Sequence, residues 1–139
     1  MLSIQNEEAL LRIFGKWPSF HDAEILFILL DRAGEGGPSL TAKIHLWEMT
    51  SEVDAKGYYV LKNHTLATLR FGRILLDSLN GFNNQNVLWE LEISDIDPST
   101  EENNGRRYEV FMPTSHGCEA SFKCQSITVI GAEPHPEAA

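Results

Sequence analysis

The sequence predicts an α+β fold dominated by an antiparallel β-sheet, curled or sandwich-like, with one N-terminal helix packed on it. Three observations predict it. Apolar residues recur at every second position in a series of short segments. Gly, Pro and Asn clusters separate those segments, as hairpin connections require. Helical spacing is convincing only near the N-terminus, so strands must form most of the core.

The helix is predicted over Asn6–Phe14. Asn6 is placed to cap it, Glu7 and Glu8 suit its positive end, and Leu10, Leu11 and Phe14 share a face. Gly15 is a natural stop. Glu24–Arg32 is apolar on both parities, which predicts a strand covered on both faces. After the turn at Ala33–Pro38, Leu40, Ala42, Ile44 and Leu46 alternate with polar residues and complete a hairpin.

Thr50–Asn63 is polar, carries Gly57 in its middle, and reads as a loop. Thr65–Phe71 is a strand, and Ile74–Leu79 fits either a strand or a helical turn. Asn80-Gly81 marks a turn. Asn86–Ile96 reads as one strand with Val87, Trp89, Leu91 and Ile93 on one face. Arg107–Met112, Gly117–Cys124 and a last strand at Ile127–Ile130 follow; a parity change between Cys124 and Ile127 requires a bulge or turn. Residues 1–130 are expected to form one domain, and residues 131–139, rich in Pro, Glu and Ala, a flexible tail.

A chain of 139 residues buries roughly 70% of its unfolded surface and needs no metal or disulfide to fold. Eleven Lys and Arg stand against 20 Asp and Glu, a net charge of -9. Such a balance disfavours binding to nucleic-acid backbones and favours basic partners. The N-terminus does not look like a secretion signal, and no apolar run nears the roughly 20 residues of a membrane helix, so a cytoplasmic location is expected. Cys118 and Cys124 lie on one parity of one predicted strand, too far apart to bridge while it is straight, and are expected to be reduced core residues.

No phosphate loop, nucleophile elbow, His-Glu-x-x-His or Cys-x-x-Cys motif is present. The densest chemical cluster is His21, Asp22 and Glu24. These residues suit either a metal site, with His45, Glu48 or His116 completing it, or a structural role in which Pro18 fixes a turn and His21-Asp22 hydrogen-bond the backbone. Ser115-His116-Gly117-Cys118 sets a His near a thiol, but the predicted parity points Cys118 into the core, where a thiol is inert. The amides Asn83–Asn86 fit a tight connection better than a recognition surface.

Two acidic stretches remain. One contains Glu48, Glu52 and Asp54 beside Trp47, Tyr58 and Tyr59; the other contains Glu90, Glu92, Asp95, Asp97, Glu101 and Glu102. Carboxylates steer a basic partner and aromatic residues anchor it, so Trp47, Glu48, Glu52, Asp54, Tyr58, Asp95 and Asp97 are the predicted partner-binding residues.

The stretch Gly15–Glu24 resembles the opening of the bacterial immunity protein 50 family. Ile44–Thr50, Gly81–Leu88 and Gly117–Cys124 are similar to it as well. The resemblance implies an antidote of a polymorphic toxin system that binds a cognate toxin without catalysis or cofactor. It carries no catalytic residues across and does not name the toxin. A metal-binding domain using His21, Asp22 and Glu24, or a homodimer joined through sheet edges, are the other readings.

Overall fold

The computed structural model describes residues 2–34 and 36–136. Among the described residues, ten strands form two antiparallel sheets beside one short helix. The helix, α1 (Glu8–Phe14), ends as its sequence requires. Gly15 adopts φ 77°, open to a residue without Cβ, and donates its N–H to Leu11 O at 2.7 Å. Its start differs from expectation. Asn6 turns its side chain to Val129 O (2.8 Å), and no side chain caps the helix. That bond ties the N-terminal segment to the sheet instead, where Gln5 bridges Thr128.

The first sheet has six strands in the order β10 (Ser126–Pro134), β3 (Tyr59–Gly72), β2 (Ser39–Val53), β1 (Glu24–Asp31), β5 (Val87–Leu88) and β8 (Thr114–His116). The second has β4 (Leu75–Asn80), β9 (Glu119–Cys124), β7 (Tyr108–Met112) and β6 (Glu92–Asp95). One apolar cluster joins them. Ile44, Leu46, Leu69 and Phe71 from the first sheet and Val110, Met112, Ala120 and Phe122 from the second belong to it, and so does the buried Leu10 of α1. The Phe71 and Phe122 rings meet edge to face at 5.0 Å, a contact that holds sheet to sheet.

Crossing between the sheets explains the broken parities. The segment expected as one strand over Asn86–Ile96 splits into β5 and β6 on different sheets, leaving Trp89 exposed where a buried face was expected. The break is held by Glu90, whose Oε1 accepts the N–H groups of Phe20 (2.7 Å) and Leu91 (3.0 Å). The change between Cys124 and Ile127 is a second crossing: Gln125 leaves β9, donates to Gly72 O at 2.9 Å, and the chain enters β10. Ile74–Leu79 resolves as strand β4.

Three further expectations are corrected. Strand β1 is not covered on both faces: Leu26, Phe27, Leu29 and Leu30 are exposed, and only Ile25 is fully buried. Thr50–Asn63 is not a loop, since β2 runs to Val53 and β3 begins at Tyr59. Gly131–Pro134 is not a free tail but pairs with Thr65–Thr68 of β3. Residues 137–139 of the expected tail lie outside the described residues.

Candidate partner-binding site

Strands β2 and β3 outrun their neighbours. Pairing of β1 with β2 stops at Glu24 opposite His45, and pairing of β10 with β3 stops at Pro134 opposite Thr65. Beyond those points Trp47–Val53 and Tyr59–His64 continue as a two-stranded arm, about 20 Å long at strand rise. Two register shifts, between Leu46 and Glu48 and between Met49 and Val53, twist it. An arm flanked by no other strand buries little, so its apolar side chains stay in water: Tyr58 is 69% exposed and Tyr59 59%, and Met49, Val53 and Leu61 are exposed as well.

The tip is built by Asp54. Its Oδ1 accepts the N–H groups of Lys56 (2.8 Å) and Tyr58 (3.0 Å), and its own N–H reaches Tyr58 O at 2.8 Å. Asp54 is thus a turn-forming residue first. Glu48 lies nearer the base, where Oε2 accepts from Asn63 Nδ2 at 3.0 Å and stands 3.9 Å from Lys62 Nζ. Glu52 projects between them, exposed, with its N–H on Thr50 Oγ1. Trp47 is half-buried at the root, 5.0 Å from the His45 ring and 5.8 Å from the His64 ring. His45 Nε2 meets His64 Nδ1 at 3.1 Å and stacks on His135 at 4.0 Å, which closes the outer face at the base of the arm.

The fold does not bring the second acidic stretch to the arm. Asp95 pairs opposite Tyr108 on β6. Asp97 begins a loop ending at Gly105, whose neighbour Arg106 bonds Arg73 O. Arg73 follows Gly72, the far end of β3, so the loop lies roughly 40 Å along the strand from Tyr59. Hydrogen bonds from the Ser99 hydroxyl and N–H hold the Asp97 carboxyl below its usual range. Of the seven residues singled out from sequence, Trp47, Glu48, Glu52, Asp54 and Tyr58 share the arm, while Asp95 and Asp97 do not. Reading Thr50–Asn63 as a loop left Val53 and Leu61 out; Met49 was not singled out, and Tyr59 was noted beside the acids but not placed among the seven. The run Tyr58-Tyr59-Val60-Leu61 is the strand signal that could have found them.

His21 reaches the backbone with its ring and stands 3.6 Å from the Asp22 carboxylate, while the main chains of Asp22 and Glu24 join the sheet. His21 Nδ1 contacts Trp89 O at 2.6 Å, and its ring sits edge-on to Trp89 at 4.7 Å. Asp22, at φ 67°, donates its N–H to Leu88 O, and Glu24 pairs between His45 and Val87. Among the described residues no three His, Cys, Asp or Glu side chains are arranged to hold a metal ion. The amide run is structural too. Buried Asn86 accepts the Asn83 and Cys118 N–H groups on Oδ1 and donates to Asn83 O. Both cysteines are free and buried; burial raises the Cys118 pKa and pushes the Cys124 thiol up to about 12, which disfavours the reactive thiolate.

Among the described residues no helix is long and apolar enough to cross a membrane. No curated protein and no solved structure matches the chain significantly. The family model described as Immunity protein 50 matches residues 6–135, nearly the whole length, including both the His21-Asp22 turn and the arm. The chain belongs to the immunity protein 50 family.

Proposed function

We propose that this protein binds and neutralises a cognate toxin, without catalysis or cofactor, and that it grips the toxin with the β2–β3 arm. The observation that carries the reading is the arm itself. Five exposed apolar side chains stand on a two-stranded projection that adds almost nothing to the core. An isolated hairpin is marginally stable in water, and ordering one that supports no core makes sense when its surface is used. Tyr58 and Tyr59 supply large, stiff contact area, and Met49 adapts to an irregular surface.

Charge sets the character of the partner. Glu48 and Glu52 flank these anchors on a protein of net charge -9, so a basic toxin surface would be drawn to the arm and oriented on it. A nuclease, whose site must hold phosphates, fits that description. Asp95 and Asp97, at the other end of the molecule, serve long-range steering in this reading and make no contact alongside the arm.

The test is co-expression with the toxin domain encoded beside this gene. The wild-type protein is expected to restore growth and to co-purify with the toxin. A Tyr58→Ala/Tyr59→Ala variant is expected to do neither while keeping wild-type thermal stability. Full protection by that folded variant would remove the arm from the interface.

A further inference from the structure

The turn that carries His21 and Asp22 holds chemistry that the fold does not use. The Ala23 N–H closes it on Phe20 O at 3.0 Å, with Asp22 as its third residue at φ 67°. That position suits Gly or Asn, and a larger side chain stands there at a cost. The Asp22 N–H is spent on Leu88 O. Its carboxylate is not spent: among the described residues no group donates a hydrogen bond to it, and its ion-pair neighbour, His21 Nε2, is 3.6 Å away, too far for one. The neighbouring Glu90 makes the contrast, because Ser19, Phe20 and Leu91 take both of its oxygens.

The hydrogen bond at the other end of the His21 ring fixes what Nε2 offers. Trp89 O can only accept, so the Nδ1 atom 2.6 Å from it carries a hydrogen. In the neutral ring Nε2 is then a bare lone pair, and it faces the Asp22 carboxylate. Two acceptors therefore stand 3.6 Å apart on half-exposed side chains, and among the described residues no Lys or Arg lies within ion-pair distance of Asp22. Trp89 walls this pair on one side. Its ring meets the His21 ring edge to face at 4.7 Å and is 58% exposed.

We propose that the Asp22 carboxylate, His21 Nε2 and the Trp89 ring form a site that accepts an arginine side chain of the partner protein. A guanidinium matches all three. Its forked N–H groups reach two neighbouring acceptors at once, its flat face packs on an indole, and it gives up water more readily than an ammonium group. Its charge complements a carboxylate that has no cation of its own, on a chain of net charge -9. An exposed tryptophan is also among the side chains that most often dominate binding. The site rests on the toxin-binding reading and adds a second contact to it. Ser19, two residues before His21, lines one cleft with Trp47, Glu48 and Met49, so a partner seated at the root of the arm reaches the turn.

The tripeptide acetyl-Gly-Arg-Gly-amide, titrated into the full chain, tests the site without any toxin. At about pH 8, where imidazole is neutral, the NMR signals of the Trp89 indole N–H and the His21 ring are expected to shift and to saturate in the millimolar range. The lysine tripeptide is expected to move them severalfold less. Asp22→Asn removes the charge and keeps a residue at ease at positive φ, so the turn should persist while the arginine response is lost. No response in the wild type, equal responses to the two tripeptides, or an arginine response that survives in folded D22N overturns the proposal. Calorimetry with the toxin domain encoded beside this gene then separates the site from the arm. D22N and Trp89→Ala are each expected to weaken binding by about tenfold. Full binding by both, with binding lost in Y58A/Y59A, overturns the site and leaves the arm standing. Weakened binding by both, with Y58A/Y59A binding fully, supports the site and removes the arm.

Discussion

Phe20 is held to Glu90 across 70 residues of sequence: the Phe20 N–H lies 2.7 Å from Oε1, while Oε2 accepts the Ser19 hydroxyl at 2.9 Å. The same carboxylate takes the Leu91 N–H. Three donors therefore converge on one side chain where the chain passes from β5 to β6, and Phe20 beside it is fully buried. The turn at Ser19–Asp22 and the sheet crossing are one structural unit.

Replacing Glu90 by Ala leaves the Phe20 and Leu91 N–H groups to find water in a partly buried place. A charged acceptor of this kind is worth about 1.5–3 kcal/mol. Urea unfolding of E90A is expected to show an unfolding free energy lowered by that amount, read as a lower midpoint at an unchanged slope. A loss below about 0.5 kcal/mol, the range of ordinary surface changes, would mean that the crossing is held by something else.

Asn86 gives a sharper case, because its amide is buried and fully used. Asn86→Leu keeps the volume and removes every partner, stranding the Asn83 and Cys118 N–H groups. The backbones beside it are in close approach, since a Cβ on Gly117 would collide with Gln85 O. Unfolding is expected to cost about 3 kcal/mol less than in the wild type, at the upper end for a lost hydrogen-bond set. Asn86→Asp keeps the acceptor and loses the donor, so it should fall between the two.

How far the sequence can be read depends on where burial is one-sided. Leu40, Ala42, Ile44 and Leu46, or Ala120, Phe122 and Cys124, were legible because one parity is buried and the other is not. The arm has no such contrast, since neither of its faces meets a core, and bulges at Trp47 and after Met49 shift what alternation remains. Trp89 was misassigned because periodicity cannot reveal that Glu90 caps backbone donors from a distant turn. In β1, the run Ile25–Leu30 is apolar on both parities and suggested cover on both faces, but Leu26, Phe27, Leu29 and Leu30 are exposed, so the run marked the strand and misjudged its burial. The candidate site was half legible: acids and aromatics adjoin in sequence at the arm, while the separation of Asp95 and Asp97 from it is purely topological.

The cysteines predict an alkaline instability. Burial lifts the Cys124 thiol from 9.0 to about 12, and moves Cys118 in the same direction. The native state therefore keeps protons that the unfolded chain releases. The stabilisation is full below pH 9 and is lost as pH rises toward 12, at a slope approaching about 1.4 kcal/mol per unit for each such thiol. Cys124→Val removes one titrating group and keeps the packing. Between pH 9 and 10 the wild type is expected to lose about 1 kcal/mol more than C124V in guanidinium titrations. Identical pH slopes would place the thiol in contact with water, and rapid labelling of the native protein by a thiol reagent would then accompany them.

The arm's charges and its aromatic residues should separate kinetically. Glu48 and Glu52 act at a distance set by screening, about 8 Å at physiological salt, and so govern encounter. Tyr58 and Tyr59 act only on contact and so govern release. Asp54 belongs in neither group, because its carboxylate holds the Lys56 and Tyr58 N–H groups, and neutralising it would unmake the tip. The informative charge variant is therefore Glu48→Gln/Glu52→Gln with Asp54 intact. Binding of the toxin domain to it, followed by surface plasmon resonance, is expected to show an on-rate roughly tenfold lower at low salt, converging with wild type near 1 M salt, where screening falls to about 3 Å. The off-rate should be nearly unchanged. Y58A/Y59A is expected to reverse the pattern, with a near-normal on-rate and dissociation faster by about a hundredfold, as loss of two anchors at 1–2 kcal/mol each implies. If both variants alter the same rate constant by similar factors, the division between steering and anchoring is wrong. If neither alters any rate, the toxin does not touch the arm.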